Sequence, residues 1–232
     1  DFFMYKVYIF IYLLLGFFCS SFPVVHLKAA GIIFSTQAQI DDYFLENANL
    51  ETIEFSILIE GEDIKSLSAF QNIEQFNSSL LIRGCPQLKN LEGFNQLKSV
   101  TGYFFLHQND SLENVDALQN LQTIGEVLDF TQNYALDNIS SLTKLTEIGG
   151  LQITANNCLS SLKGLEGLTK VEGNIRILSN LSLGSLSTGL RSLDSHPHNL
   201  IIIGNRLNSL EGLENLAHVG GDLTISGSSV SN

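Results

Sequence analysis

A short segment near the C-terminal end holds the residues best suited to bind a metal. His196 and His198 stand on either side of Pro197, and imidazole is a common ligand of transition metals. A metal site needs further ligands, and the sequence identifies no third one nearby. We therefore interpret the pair as part of a polar loop and expect neither a metal nor another cofactor.

The other reactive side chains form no catalytic motif. Serine, histidine and aspartate are present, but no segment combines a nucleophile, a base and a residue that orients the base. Cys19, Cys85 and Cys158 lack the C-x-x-C spacing that is typical of redox and zinc sites. The sequence thus predicts that the protein is not an enzyme.

The charge balance argues against two classes of partner. The chain has 24 acidic and 12 basic residues, and its net charge is −12. Nucleic acids and anionic membranes attract basic surfaces, so neither is an expected partner. We expect contact with a membrane only through an anchor outside this chain.

Most of the chain is organised as a tandem repeat. Leu128 and Phe130 correspond to Leu151 and Ile153 at an offset of 23 residues, and the apolar positions that follow keep this offset. The register extends from Ile57 to the C-terminal region and contains eight strand positions at spacings of 23 to 25 residues. Such a period is the signature of a solenoid, whose short units bury their apolar sides against one another.

Each unit combines two periodicities. Its opening tripeptide, such as Leu151 to Ile153, alternates with period two and predicts a short strand with one buried face. The remainder carries an apolar residue at every third position, which is typical of 3₁₀ turns or extended segments. Glycines before several strands predict corners that require backbone freedom. The sequence therefore predicts a mainly all-β protein, a parallel β-solenoid.

One polar position recurs inside the array. A stacked amide can both donate and accept, and can satisfy backbone groups that a corner leaves unpaired. We interpret this position, five residues after each strand begins, as a structural ladder: Cys85, Asn109, Asn133, Asn156, Asn180 and Asn205. Cys158 lies three units beyond Cys85, about 14 Å away at strand spacing, so a disulfide is out of reach and both thiols should be free.

The N-terminal residues resemble a targeting segment. Residues 1–30 comprise a leader and a predicted signal peptide, in which Lys6 precedes an apolar run that ends at Phe18. Cleavage is expected near Ser21. A retained signal anchor is the alternative, which Pro23 and the short length of the run disfavour.

Two further segments complete the predicted organisation. Residues 31–56 are expected to cap the array, with a helix from Thr36 to Glu46 whose capping box pairs Thr36 with Gln39. Residues 57–232 are the predicted solenoid. We expect it to be incomplete at its C-terminal end, because no second capping segment follows the last strand position and an open edge tends to aggregate.

The consensus L-x-I-x-x-N-x-x-L-x-x-L-x-x-L-x-x-L-x-x-I-x-G resembles the leucine-rich repeats of receptor L domains. Segments such as LTKVEGNIRI and LAHVGGDLTI are similar in style to the bacterial surface version of these repeats. The resemblance extends from about residue 34 to the end and implies a right-handed solenoid that serves in extracellular recognition or adhesion. The family shares no catalytic residues, so the resemblance assigns no site residue to this chain.

Outward strand positions form two rows across the predicted sheet. In the first units three apolar residues are neighbours in one row and two polar residues flank them: Leu58, Leu81, Phe105, Arg83 and His107. Apolar groups rimmed by polar ones on a flat face indicate an interface. Packing against a neighbouring domain or loop is the alternative interpretation of this patch.

The sequence therefore predicts a secreted or cell-surface module that binds a protein or a glycan through its sheet face. A structural spacer that displays another domain at the cell surface is the alternative. The isolated array should capture a partner in the first case and none in the second.

Overall fold

The computed structural model describes residues 31–196 and 198–227, and the predicted signal peptide lies outside them. Within these ranges the chain forms helix α1 (Gln37–Glu46), two 3₁₀ helices (Ser68–Phe70 and Asp116–Leu118) and fifteen strands. In chain order the strands are β1 (Ile32–Phe34), β2 (Thr52–Ile53), β3 (Ile57–Ile59), β4 (Gln75–Phe76), β5 (Leu80–Arg83), β6 (Ser99–Val100), β7 (Phe104–His107), β8 (Thr123–Thr131), β9 (Glu147–Thr154), β10 (Lys170–Val171), β11 (Ile175–Leu178), β12 (Ser195–His196), β13 (Leu200–Ile203), β14 (His218–Val219) and β15 (Leu223–Ser226).

The main sheet is parallel and confirms the predicted β-solenoid. Its strand order is β1-β3-β5-β7-β8-β9-β11-β13-β15, so each coil of the chain lies on the one before it. Leu128 pairs with Leu151 and Leu151 with Ile175, as the repeat register predicts. The array has one strand more than that register contains, because Ile32 of β1 pairs with Ile57. At about 4.8 Å per strand, nine strands span about 38 Å.

A second row of short parallel pairings runs along another side of the coils. It joins β2 to β4, β4 to β6 and β6 to the start of β8, and it continues through β9 to β10. Strands β8 and β9 belong to both rows because they continue around a corner, with a register shift between Ile124 and Val127. Strands of two residues form only through hydrogen bonds between coils, so local alternation does not predict them.

The segments with period three are 3₁₀-type turns rather than extended chain. Each backbone N–H in these segments donates a hydrogen bond to the carbonyl three residues earlier. The Leu118 N–H donates to the Val115 carbonyl at 2.8 Å, and the Leu121 N–H donates to the Leu118 carbonyl at 3.0 Å. Three residues per turn place every third side chain on the same side. Val115, Leu118 and Leu121 are therefore all buried in the continuous apolar core.

The corner glycines are required by close packing of neighbouring coils. A Cβ added to Gly149 would lie 2.5 Å from the Gly125 carbonyl oxygen, and one added to Gly125 would lie 2.2 Å from the Thr101 oxygen. Neither glycine has a positive φ, so the expectation that these corners need unusual backbone freedom is wrong. Left-handed backbone occurs instead just before the ladder position, for example at Gly84 and Gly204.

Helix α1 forms where the sequence predicts a helix, and the predicted capping box is present. The Gln39 amide donates to Thr36 Oγ1 at 3.3 Å, and the Thr36 amide donates to Gln39 Oε1 at 3.3 Å. Ile40 and Phe44 are buried against the first coils, and the Phe44 ring lies 4.4 Å from that of Phe70. Helix α1 thus covers the apolar end of the array.

The opposite end of the described array has a different surface. Leu223 is 56% exposed, although the equivalent Leu200 and Leu128 are almost completely buried. Leu210, which also occupies an inward position, is exposed as well. No described element covers this end in the way that α1 covers the first coil.

Candidate ligand-binding face

The outward row of the first coils brings the three predicted apolar residues together. Leu58 of β3 pairs in register with Leu81 of β5, and Leu81 pairs with Phe105 of β7. Arg83 and His107 are likewise direct neighbours. All five side chains are half-buried rather than fully exposed, because parallel strands only about 4.8 Å apart let outward side chains cover part of one another.

Two residues outside the predicted set enlarge this apolar surface, Ile33 along the row and Tyr103 beside it. Ile33 of β1 pairs with Leu58 and is 40% exposed. The Tyr103 ring lies 5.2 Å from that of Phe105, which in turn stacks on His107 at 5.0 Å. The alternation of β7, continued to the residue just before the strand, is the sequence signal that could have indicated Tyr103. We refer to Ile33, Leu58, Leu81, Tyr103 and Phe105 as the N-terminal apolar patch.

The charges beside the patch are paired within the chain. Arg83 Nη2 lies 2.7 Å from Glu60 Oε2, and Arg83 Nε donates to the same oxygen at 2.8 Å. Burial, aided by the Glu126 carboxylate, raises the pKa of Tyr103, so its phenol remains neutral at physiological pH. The patch is therefore an apolar surface with a rim whose charges largely cancel.

Asp129 and Thr131 belong to the outward rows but are buried, with Asp129 only 3% exposed. Asp129 Oδ1 accepts a hydrogen bond from Thr131 Oγ1 at 2.5 Å, and its Oδ2 lies 3.0 Å from His107 Nε2. The Gln152 side chain donates a hydrogen bond from Nε2 to Thr131 Oγ1 at 3.4 Å. The middle of the sheet face is thus a group of linked polar side chains around Asp129, because a buried carboxylate requires partners, while the neighbouring Thr154 Oγ1 has none among the described residues.

Buried amides run through the array at the ladder position. The Asn156 Nδ2 group donates to the Phe130 carbonyl at 2.8 Å, and Asn156 Oδ1 accepts from the Asn133 amide at 3.1 Å. The same two bonds recur at Asn109, Asn133, Asn180 and Asn205. Each side chain therefore bonds to the backbone of the preceding coil, and these hydrogen bonds link one coil to the next.

The two histidines whose spacing in the sequence raised the question of a metal differ in burial. His196 is buried in β12, where it pairs with Val219, and His198 is exposed. His196 thus occupies an apolar core position rather than a loop position. Among residues 31–196 and 198–227, no three His, Cys, Asp or Glu side chains are grouped so as to hold a metal ion.

We expect His196 to make the fold sensitive to acid. Burial lowers the pKa of His196, and nearby His198 acts in the same direction, although a 3.1 Å hydrogen bond to the Asn199 carbonyl opposes them. The unfolded chain then binds the proton more readily, so stability should fall as pH drops below about 6.5 and level off below the lowered pKa. Thermal melts between pH 7.5 and 5.5 measure this effect.

Two substitutions test the assignment to His196. His196→Val introduces valine, the residue type found at the paired position Val219. It should flatten the pH dependence of the melting temperature. His198→Val changes an exposed histidine and should leave that dependence as in the wild type. An equal effect of both substitutions would contradict the assignment.

The two described cysteines should differ sharply in reactivity. Burial raises the pKa of Cys85 to about 11, whereas Cys158 is exposed. At pH 8 the Cys85 thiolate fraction is then about 0.1%, and the thiolate is the reactive form. Iodoacetamide should modify Cys158 and spare Cys85 in the folded protein, as peptide mass spectrometry would show. Comparable labelling of both before denaturant is added would contradict this.

Within the described ranges, no helix combines the length and apolarity that crossing a bilayer requires. A search of curated proteins and a search of solved structures found no match. Residues 74–150, about a third of the chain, match the model of the Receptor L domain family, whose members are in general extracellular ligand-binding modules. The parallel β-solenoid continues on both sides of this match, so the described chain as a whole fits a receptor L-domain-like repeat protein.

Proposed function

We propose that this protein is a secreted or cell-surface recognition module, and that it binds its ligand through the N-terminal apolar patch. The observation that carries the proposal is the alignment of Leu58, Leu81 and Phe105 on three adjacent strands. Half-buried apolar side chains on a flat face with a polar rim are typical of a protein interface. Arg83 and His107 provide that rim.

The chemistry of the patch favours a protein ligand over a glycan. A polar ligand such as a glycan needs unpaired hydrogen-bonding groups, which fix its orientation in a site. The polar groups beside the patch are already engaged, Arg83 with Glu60 and Asp129 with Thr131 and His107. Protein ligands are also general among Receptor L domains.

The rigidity of the platform supports a recognition role. Strands β3, β5 and β7 are held in register by the main sheet, and the ladder residues Cys85 and Asn109 tie the same coils together behind it. Because the backbone of these strands is already fixed, it loses little further conformational entropy when a partner binds to their outward side chains. A preformed flat face of this kind suits a partner that is itself folded.

Paired arrays of secreted proteins and of glycans test the proposal. The folded chain, labelled with a fluorophore, is applied to both arrays together with the double variant Leu81→Asp and Phe105→Asp. We expect the wild type to bind protein spots and the double variant to lose at least tenfold in affinity, because two carboxylates would have to be desolvated in an apolar contact.

Leu45→Asp is the matched control, because Leu45 is an apolar residue on α1 that is 82% exposed and lies outside the sheet. It should bind as the wild type does. Melting curves should show that all three proteins are folded. Binding to glycan spots alone would favour the glycan alternative. If the wild type binds neither array, the chain is better explained as a structural spacer that displays another domain.

The extracellular part of the proposal has a separate test. It is supported by the apolar run that follows Lys6 and by the usual location of Receptor L domains. When the gene is expressed in a secreting host, the protein recovered from the medium should begin shortly after Ser21. Retention of the whole chain inside the cell would contradict secretion.

A further inference from the structure

A second outward apolar cluster lies toward the other end of the same sheet face. Leu178 of β11 pairs with Ile203 of β13, and Arg176 pairs with Ile201 two residues earlier on each strand. Ile203 is 37% exposed, and the other three side chains are half-buried. We refer to Arg176, Leu178, Ile201 and Ile203 as the C-terminal patch.

Arg176 differs from the other arginine of the sheet face. Arg83 is paired with Glu60, whereas Arg176 forms no ion pair within the described part of the chain. Its register neighbours are Gln152 and Ile201, which are uncharged. Arg191 and Arg206 also form no ion pair within the described ranges, but neither lies in a strand of the main sheet, so Arg176 is the arginine that combines an unpaired charge with an apolar sheet surface.

The environment of Arg176 determines what can cover it. A partner that packs on Ile201 and Leu178 must also remove water from the guanidinium group beside them. Burying that charge without a counterion is very unfavourable, whereas a carboxylate can form a bidentate hydrogen-bonded pair with it. We propose that the C-terminal patch binds a protein segment that places an aspartate or glutamate on Arg176 and apolar side chains on Leu178, Ile201 and Ile203.

The dimensions of the face bring both patches within reach of one ligand. Nine strands of about four residues form a face of about 38 Å by about 13 Å, or about 500 Å², whereas a stable interface covers about 800 Å² on each partner. The whole face is smaller than this, so a ligand that contacts both patches uses more of the available area than a ligand confined to one of them. The inference therefore rests on the proposed function. It adds Arg176 as a contact for an acidic residue of the ligand, about 14 Å from Phe105, which is three strand spacings away.

Selection from a random peptide library on phage tests this directly. The folded chain is immobilised, and the retained peptides are sequenced. We expect enrichment of peptides in which Asp or Glu is flanked by Leu, Ile or Phe. Arg176→Glu should reverse the charge preference and enrich Lys and Arg. Arg206→Glu is the matched control, because Arg206 is exposed in the loop after β13, and it should select the same peptides as the wild type.

Affinities of one selected acidic peptide separate this inference from the proposed function. Arg176→Gln should weaken its binding by about 10- to 100-fold, as expected for the loss of a charge-assisted hydrogen-bonded pair. If the peptide depends on Leu81 and Phe105 but not on Arg176 and Ile203, the inference is wrong and the proposed function stands. Dependence on Arg176 and Ile203 alone supports the inference and contradicts the N-terminal site. Selection of the same peptides by the wild type and Arg176→Glu, or of none by the wild type, overturns the inference.

Discussion

Replacing Phe70 with alanine is expected to lower the free energy of unfolding by about 4 kcal/mol, a large fraction of the stability of a typical domain. Phe70 is fully buried where α1 meets the first coils. Its ring lies 4.4 Å from Phe44 of the helix and 5.1 Å from Phe94 of the next coil. Truncation would remove these contacts and leave a cavity that the flanking rings cannot fill.

The loss should be concentrated at the N-terminal end, because each unit of a solenoid contacts only its neighbours. Hydrogen exchange should therefore show faster opening of α1 in Phe70→Ala, with little change in β11. Chemical denaturation followed by circular dichroism measures the overall loss.

Phe105→Ala is the matched control for Phe70→Ala, since it makes the same chemical change at a half-buried position on the sheet face. It should cost about 1 kcal/mol, because the Phe105 ring lies on the outward face outside the core, where its truncation leaves no enclosed cavity. Equal losses for the two variants, or unchanged exchange of α1 in Phe70→Ala, would contradict the importance of the buried aromatic cluster.

Replacing Asn156 with leucine is the second large prediction, with an expected loss of about 2 to 5 kcal/mol. Leucine has nearly the same size but cannot donate to the Phe130 carbonyl or accept from the Asn133 amide. Both backbone groups lie in the interior, where an unpaired polar group costs about 1 to 3 kcal/mol. Thermal and denaturant unfolding of the variant measure the loss.

The chain offers two comparisons for Asn156→Leu. Asn157→Leu alters the adjacent, half-buried asparagine and should change stability by less than about 0.5 kcal/mol. Asn156→Cys introduces the residue type that occupies the ladder position at Cys85. There the Cys85 Sγ lies 3.8 Å from the Ile59 carbonyl oxygen. This weaker contact should give an intermediate loss. A leucine variant as stable as the wild type would show that the ladder bonds are dispensable.

The buried core and the proposed binding surface lie on opposite faces of the same strands. In β5 the inward Leu80 and Ile82 are fully buried, whereas Leu81 and Arg83 alternate with them on the outward face. Substitutions on the outward face can therefore alter binding without opening the core. For this reason the variants at Leu81 and Phe105 are informative about function, while Phe70→Ala and Asn156→Leu report on the fold.

The amino-acid sequence by itself determined the coil, its period and the neighbours on each face. An offset of 23 to 25 residues places Leu128 beside Leu151, and strand alternation then makes Leu58, Leu81 and Phe105 neighbours, because both relations are local and repeat along the chain. The sequence also predicted α1 from its capping box, which is a contact between residues three apart.

Only the tertiary structure decided the features that depend on contacts between coils. The register did not include β1, because its strand lacks the apolar positions that follow in other units and is completed only by pairing with β3. Asp129 lies in an outward position and is nevertheless buried, since side chains from the neighbouring strands enclose it. His196 resembled a loop residue in the sequence and lies in the core. Burial is a property of the assembled coils, and no single repeat contains the atoms that produce it.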